Sequence, residues 1–342
     1  MELKEATIKD VAEQAKVSVG TVSRVINGAI NIKEENRVKV EKAIRELGFR
    51  PNQYAKGLKN NKSNIIGIIV PNLLDEFYRY IVQKIEEIAS GQGYLPVLLN
   101  SRDDIAAERR YIEFLWEKRA DGIAIVASGN QNEDILLSMR QAGTAVIFID
   151  RRPTNPVFDA VYADKKGAAL VATNYFVRLG HQKIAMATGH RGLISSEDRF
   201  EGYVRALYDN NIQIQNTYIQ FGSFSEDFGV YLANWWQGLP PEERPTAILL
   251  GSAIITYGFL CGAKQLGIRI PEDVSIISYG NIGLDFLVEP KITYMQQLSM
   301  QIAETAANLL FDRLKAPVHP TKQVALPVNL IEQATVQDLN IG

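Results

Sequence analysis

Residues 7–27 read TIKDVAEQAKVSVGTVSRVIN, and the N-terminal fold can be read from them. Ile8, Val11, Ala12 and Ala15 recur at i, i+3, i+4 and i+7, the apolar stripe of an amphipathic helix. Thr7 precedes the stripe and Asp10 follows three residues later, a capping box with Asp in place of the usual Glu. That helix must stop near Lys16. Ser18 is placed to cap a second helix carrying Val19, Val22, Val25 and Ile26, and Asn27-Gly28 closes it as a turn signal. Val40, Ala43, Ile44 and Leu47 form a third stripe, with Gly48 placed as its C-terminal cap. Two short helices on a tight turn, with a third beneath, describe a helix-turn-helix head. Periodicity alone equally allows any small helical bundle. The polar exposed face of the second helix, Thr21, Ser23 and Arg24, suits a helix that reads a DNA groove.

Charge favours the DNA reading. The 342 residues have a formal net charge of only -2, but it is unevenly spread. Residues 1–62 hold 13 Lys/Arg against 8 Asp/Glu, or +5, so the remainder carries -7. A basic module is attached to an acidic body. The hydrophobic content of 46% is that of a globular chain with a sizeable core. One cysteine, Cys261, excludes a disulfide framework and fits a reducing compartment. With only three histidines, a His/Cys metal cage is not expected, nor is a cofactor. No apolar run approaches a membrane span, and the start MELKEATIKD lacks a signal-peptide core, so a cytoplasmic protein with no membrane partner is expected.

From Ile65 onward, short apolar runs alternate with amphipathic helices. Strands are predicted at Ile65–Val70, Leu95–Leu99, Gly122–Val126, Ala145–Ile149, Lys183–Ala187, Tyr218–Gln220, Ala247–Leu250 and Val274–Ser278. Helices are predicted near 76–90, 104–117, 133–142, 165–179, 198–210, 226–237 and 256–266. This spacing means parallel βαβ units, and the series restarts after residue 160. The fold class is therefore α/β, a body of two doubly wound parallel-sheet subdomains behind the helical head. The cleft between the subdomains is the expected ligand site. No G-x-S-x-G, H-E-x-x-H, P-loop or G-x-G-x-x-G motif is present, so a binding module rather than an enzyme is expected. His181 lies between a helix and a strand, where a structural role is favoured over a catalytic one.

The segments Thr7–Ala12, Val17-Ser18, Thr21–Asn27 and Leu47–Asn52 resemble the DNA-binding head of the lactose/galactose repressor family. The body resembles that family's type I periplasmic-binding-protein-like fold. Asp121-Gly122, Asp150-Arg151, Leu179-Gly180-His181, Arg199 with Gly202-Tyr203, Pro245–Ile248 and Pro271–Ser275 carry this second likeness. The resemblance runs nearly end to end. It implies a head at 1–50, a hinge at 51–63 and an effector-binding and dimerisation body at 64–342. It further implies an N-subdomain of about 64–161 and 292–325, and a C-subdomain of about 162–291 and 326–338.

The resemblance also implies partners and sites. The second helix would lie in the major groove, with Val19, Gly20 and Arg24 reading bases. Arg24 can bond guanine bidentately, whereas Val19 and Gly20 would read shape or a thymine methyl. Thr7, Ser18, Ser23 and Asn27 suit phosphate contacts, and Thr21 and Asn52 complete the head's DNA-binding set. Pro51 and Gly57 leave the hinge without a stable helix of its own. On operator DNA it would fold and enter the minor groove, Leu58 wedging between base steps with Ala55 on the same face. Lys56, Lys59 and Lys62 would neutralise phosphates. Two heads imply a homodimer on a near-palindromic operator, and residues 327–342 carry no leucine heptad for a tetramer. The effector pocket would take Asp75, Phe77, Tyr78, Asp150, Ser195, Arg199, Phe224, Ser252, Asn281 and Gln297. Asp75 has an alternative role as a helix cap, and Asp150 could pair with Arg151 or Arg152.

Six positions at four sites depart from the family pattern. Lys16 replaces a usual glycine, and Lys33 a usual Ser or Thr cap. Ser252-Ala253 replaces Asn-Asp, and Gly280-Asn281 replaces an acidic pair, removing a carboxylate that commonly accepts sugar hydroxyls. A phosphorylated sugar, a sugar acid or another small metabolite therefore gains weight as effector over a neutral sugar. The expected function is repression of a carbohydrate-utilisation operon. The competing class is a cytoplasmic sugar-binding or sugar-modifying α/β protein without operator function.

Overall fold

A computed structural model describes residues 6–26, 29, 31–49, 62–73, 75–283, 289–316 and 320–341. Three helices build the N-terminal unit: α1 (Ile8–Ala15), α2 (Val19–Ile26) and α3 (Glu34–Leu47). Thr7 and Asp10 form the reciprocal cap of α1. The Thr7 N–H donates to Asp10 Oδ2 at 2.7 Å, and Thr7 Oγ1 accepts from the Asp10 N–H at 3.4 Å. Lys16 ends α1 in the left-handed region, at φ 52°. Gly48 ends α3 the same way, at φ 60°, while Lys33 gives α3 no side-chain cap bond. The three stripes meet in a small core of Val11, Ala12, Ala15, Val22, Val40 and Ala43.

The second unit spans residues 64–342, apart from the head unit of residues 1–63. Its first sheet has the order β11-β5-β4-β3-β1-β2, all parallel. Those strands are β1 (Ile65–Val70), β2 (Leu95–Asn100), β3 (Gly122–Ile125), β4 (Ala145–Ile149), β5 (Asp159–Ala163) and β11 (Gln323–Leu326). The second sheet has the order β12-β10-β9-β8-β6-β7. It comprises β6 (Ile184–Thr188), β7 (Ile219–Phe221), β8 (Ala247–Leu250), β9 (Ser275–Tyr279), β10 (Tyr294–Gln297) and an antiparallel edge, β12 (Val328–Ile331).

Helices α4 (Glu76–Gly91), α5 (Ile105–Glu117), α6 (Glu133–Gln141) and α11 (Ser299–Lys315) accompany the first sheet. Helices α7 (Lys165–Arg178), α8 (Ile194–Asp209), α9 (Glu226–Gly238) and α10 (Ala253–Leu266) accompany the second. The run IIGIIV of β1 is apolar throughout because both of its faces are covered. Ile66, Ile68 and Val70 join one core cluster and Ile69 the other.

The chain passes between lobes three times: after β5, after β10 and between β11 and β12. The third crossing falls beside the boundary expected at about 326, and the second follows residue 297, a few residues past the expected 292. Strand β10 pairs with β9, so residues 294–297 stay in the second lobe and the return begins with α11. The strands β5, β10, β11 and β12, and helix α11, are absent from the predicted series. Each of the four strands has only four or five residues.

Candidate effector cavity and DNA-reading helix

Ligand sites in open α/β sheets lie beyond the carboxyl ends of the strands. The cavity of this body follows that rule, occupying about 820 Å³ between the lobes. All ten residues expected at the effector pocket line it. Asp75, Phe77 and Tyr78 follow β1, and Asp150 follows β4. Ser195 and Arg199 follow β6, Phe224 follows β7, Ser252 follows β8, and Asn281 follows β9. Gln297 closes β10.

Several of these side chains already have structural partners. Asp75 caps α4, accepting the Phe77 N–H at 2.9 Å. Burial raises its pKa above the usual carboxylate value, and the neighbouring Asp150 and Glu76 charges add to this. Ser252 Oγ caps α10, accepting from the Ile255 N–H at 3.3 Å. Asn281 Oδ1 accepts the Gly283 N–H at 2.8 Å.

Asp150 pairs with neither Arg151 nor Arg152. Its partner is Lys165 Nζ, 2.7 Å from Oδ1, and the Tyr78 hydroxyl donates to Oδ2 at 3.1 Å. Burial pushes the Asp150 pKa up, but Lys165 outweighs it and holds the carboxyl below its usual range. The arginines are occupied elsewhere. Arg151 is bound to Asp103 and donates to the Ala127 carbonyl at 2.9 Å, while Arg152 lies 2.7 Å from Asp198. These carboxylates are fixed by short-range geometry that residue spacing did not reveal.

Arg199 stands apart. Its residue is 5% exposed, and no described carboxylate lies within ion-pair distance. Its Nη1 donates to the Ser195 carbonyl at 2.8 Å, and its guanidinium carbon stands 3.9 Å from the Tyr279 ring centroid and 5.8 Å from that of Phe224. Five buried polar atoms of the wall have no protein partner among the described residues: Arg151 Nε, Arg199 Nε, Ser195 Oγ, Tyr279 Oη and Gln297 Oε1. Burial pushes the Tyr279 hydroxyl pKa up, so that group remains a donor. Four of the five atoms can donate, which complements a ligand rich in acceptors.

On the head, Ser18, Val19 and Gly20 are exposed around the start of α2 and Arg24 in its last turn, and Thr21 and Ser23 are half-buried. Ser18 Oγ accepts the Thr21 N–H at 3.1 Å, while Arg24 Nε donates to the Gly20 carbonyl at 3.2 Å. Thr7 is exposed, its hydroxyl engaged in the cap of α1. Asn27, Asn52, Ala55, Lys56, Leu58 and Lys59, and with them most of the expected hinge, lie outside the described residues.

Residues 7–52 match the model for bacterial regulatory proteins of the lacI family. Residues 66–244 match a periplasmic binding protein domain and residues 173–336 a periplasmic binding protein-like domain. The chain is 33% identical to the HTH-type transcriptional repressor PurR of Vibrio atlanticus over 335 residues, covering 98% of this chain and 100% of the relative. The chain belongs to the lacI family. PurR of Photobacterium profundum is 31% identical over 98% of this lacI-family chain and 100% of its own. The Lac repressor dimer bound to operator and the anti-inducer ONPF superposes with a TM-score of 0.78 at 26% identity, covering 98% of this chain and 100% of that one. The regulator CelR in complex with cellobiose gives 0.72 at 25% identity over 96% and 99%. This lacI-family member is a DNA-binding transcriptional repressor with an effector-binding body, and its relatives are repressors rather than enzymes. Among the described residues, no helix is long and apolar enough to cross a membrane.

Reading this lacI-family cavity from sequence missed Tyr279, Arg102, Asp103 and Arg151, which also line it. Lys165 was missed as well. A usable signal for it was present, because a lysine at the first position of a helix opposes the helix dipole and needs another reason to be there.

Proposed function

We propose that this repressor binds a near-palindromic operator as a homodimer and regulates carbohydrate use in response to an anionic small molecule, a phosphorylated sugar or a sugar acid. The observation that carries the effector class is Arg199, a buried guanidinium with no carboxylate partner among the described residues, in a wall whose orphaned atoms are mostly donors. A guanidinium bonds phosphate or carboxylate oxygens in a fork, and charged hydrogen bonds are the strong ones. The aromatic faces of Phe224 and Phe77 suit a sugar ring. The carbohydrate assignment draws support from cellobiose in CelR and from ribose bound to a related regulator of Enterococcus faecium, 26% identical over 80% of this chain with a TM-score of 0.72.

Ligand closure of the cavity would favour one arrangement of two dimerised bodies over another, and linkage makes the effect on operator affinity reciprocal. On α2, Arg24 would read guanine while Val19 and Gly20 read shape or a thymine methyl. Ser18, Thr21 and Ser23 would set register on the phosphates, with Asn27, Asn52 and the hinge residues Ala55, Lys56, Leu58 and Lys59 completing the contact.

A thermal-shift and calorimetric screen tests the effector class, with neutral sugars, sugar phosphates, sugar acids and nucleobases as its arms. An acidic ligand should stabilise the protein, and Arg199→Ala should weaken it by about 10- to 100-fold, the loss of a charged hydrogen bond of about 1.5–3 kcal/mol. Stabilisation by a neutral hexose or a nucleobase alone, equal in Arg199→Ala, would overturn the reading.

A further inference from the structure

Lys165 opens α7 in the second lobe, and Asp150 follows β4 in the first. Each sits in a locally unfavourable place. Lys165 is a cation at a helix N-terminus and is 3% exposed, although lysines are almost never buried without a partner. Asp150 is 5% exposed and adopts φ 63°, a left-handed conformation that L residues avoid. Their 2.7 Å contact holds both, across the boundary between the lobes. Tyr78 engages the second Asp150 oxygen from the cavity side.

We propose that Lys165, which lies outside the cavity wall, sets the charge class of the ligand by neutralising Asp150. This rests on the anionic-effector reading above. With Asp150 held by Lys165 and Asp103 held by Arg151, Arg199 has no ion-pair partner among the described carboxylates, although Asp75 and Glu76 also line the cavity. Without the Lys165 charge, the Asp150 carboxylate becomes a buried anion in the same wall. It would then attract Arg199 and repel an incoming phosphate, since unit charges interact strongly over several ångströms in a medium of low effective dielectric.

The test is a charge series on the full-length protein: wild type, Lys165→Met, Asp150→Asn, and the double variant. With both side chains ionised, the pair then carries formal charges of about 0, -1, +1 and 0, and the titration is repeated at rising pH so that Asp150, whose pKa burial pushes up, is ionised in Lys165→Met. Inorganic phosphate is the probe, titrated against chloride at matched ionic strength and read by thermal shift, with Arg199→Ala locating the response. Lys165→Met should bind phosphate about tenfold more weakly and Asp150→Asn about tenfold more tightly. The double variant should return to within about threefold of wild type. A merely structural role would make the double variant as impaired as the worse single one, and that result overturns the proposal. If Lys165→Met fails to fold, Asp150→Asn and the double variant still decide it. Equal phosphate affinity in all four proteins overturns the role of Lys165 and leaves the anionic reading standing. No phosphate response in wild type overturns both.

Discussion

Lys16 shows how a residue-scale conflict is tolerated. The turn between α1 and α2 needs a left-handed residue, and Lys16 occupies it at φ 52°. An L residue there costs about 1–2 kcal/mol that glycine avoids. Lys16→Gly should therefore raise the stability of the head by about 1 kcal/mol, less the greater entropy of glycine in the unfolded chain. Urea denaturation followed by circular dichroism checks the sign, and a loss of stability would contradict it. Such features were legible because caps and turns depend on neighbours three or four residues away. Thr7 and Asp10 announce their cap by spacing alone. The partner of Asp150 was not legible, since Arg151 and Arg152 are adjacent in the chain but point to other carboxylates.

At the scale of elements, His181 ties together the end of α7, the approach to β8 and the C-terminal segment. Its Nδ1 lies 2.9 Å from Thr246 Oγ1 and its Nε2 3.0 Å from the Gln337 carbonyl oxygen. Burial lowers its pKa below the ordinary 6.5. The unfolded chain then takes up a proton more readily than the fold as pH falls. The contribution is whole above about pH 6.5, and it is lost as pH drops from there through the lower folded value. Denaturation midpoints measured between about pH 5 and 8 should fall on the acid side, and His181→Asn should flatten that limb. An unchanged slope in the variant would place the dependence elsewhere. The strands missed from sequence, unlike the 17-residue helix α11, are short. A strand such as β11 or β12 is four residues long, and its burial alternates weakly, so its pairing depends on which lobe receives it.

The whole molecule consists of units with very different cores. The head closes on six buried side chains, while the body carries four larger clusters. Small domains bury a smaller share of their surface and are correspondingly marginal. Scanning calorimetry of the free protein should therefore give two transitions, the head melting below the body, rather than one two-state event. Lys16→Gly should move only the lower one. A single transition shifted as a whole would contradict this independence. The charge of -2 is a balance of the same two units, +5 over residues 1–62 and -7 over the rest, which keeps phosphate attraction local to the head.

By itself the sequence determined the helices of the head, their caps, and the βα alternation of the body, because these follow from periods of 3.6 and 2 and from contacts within a turn. The ten residues that the family resemblance assigned to the effector pocket all line the cavity, carried by the loops, helix starts and strand ends at the carboxyl edges of the two sheets. Only the tertiary structure decided which lobe takes β10, β11 and β12, and which charges cancel. Lys165 meets Asp150 only after the chain has crossed between lobes, so the lack of an ion-pair partner for Arg199 among the described carboxylates is a property of the assembled fold rather than of any local segment.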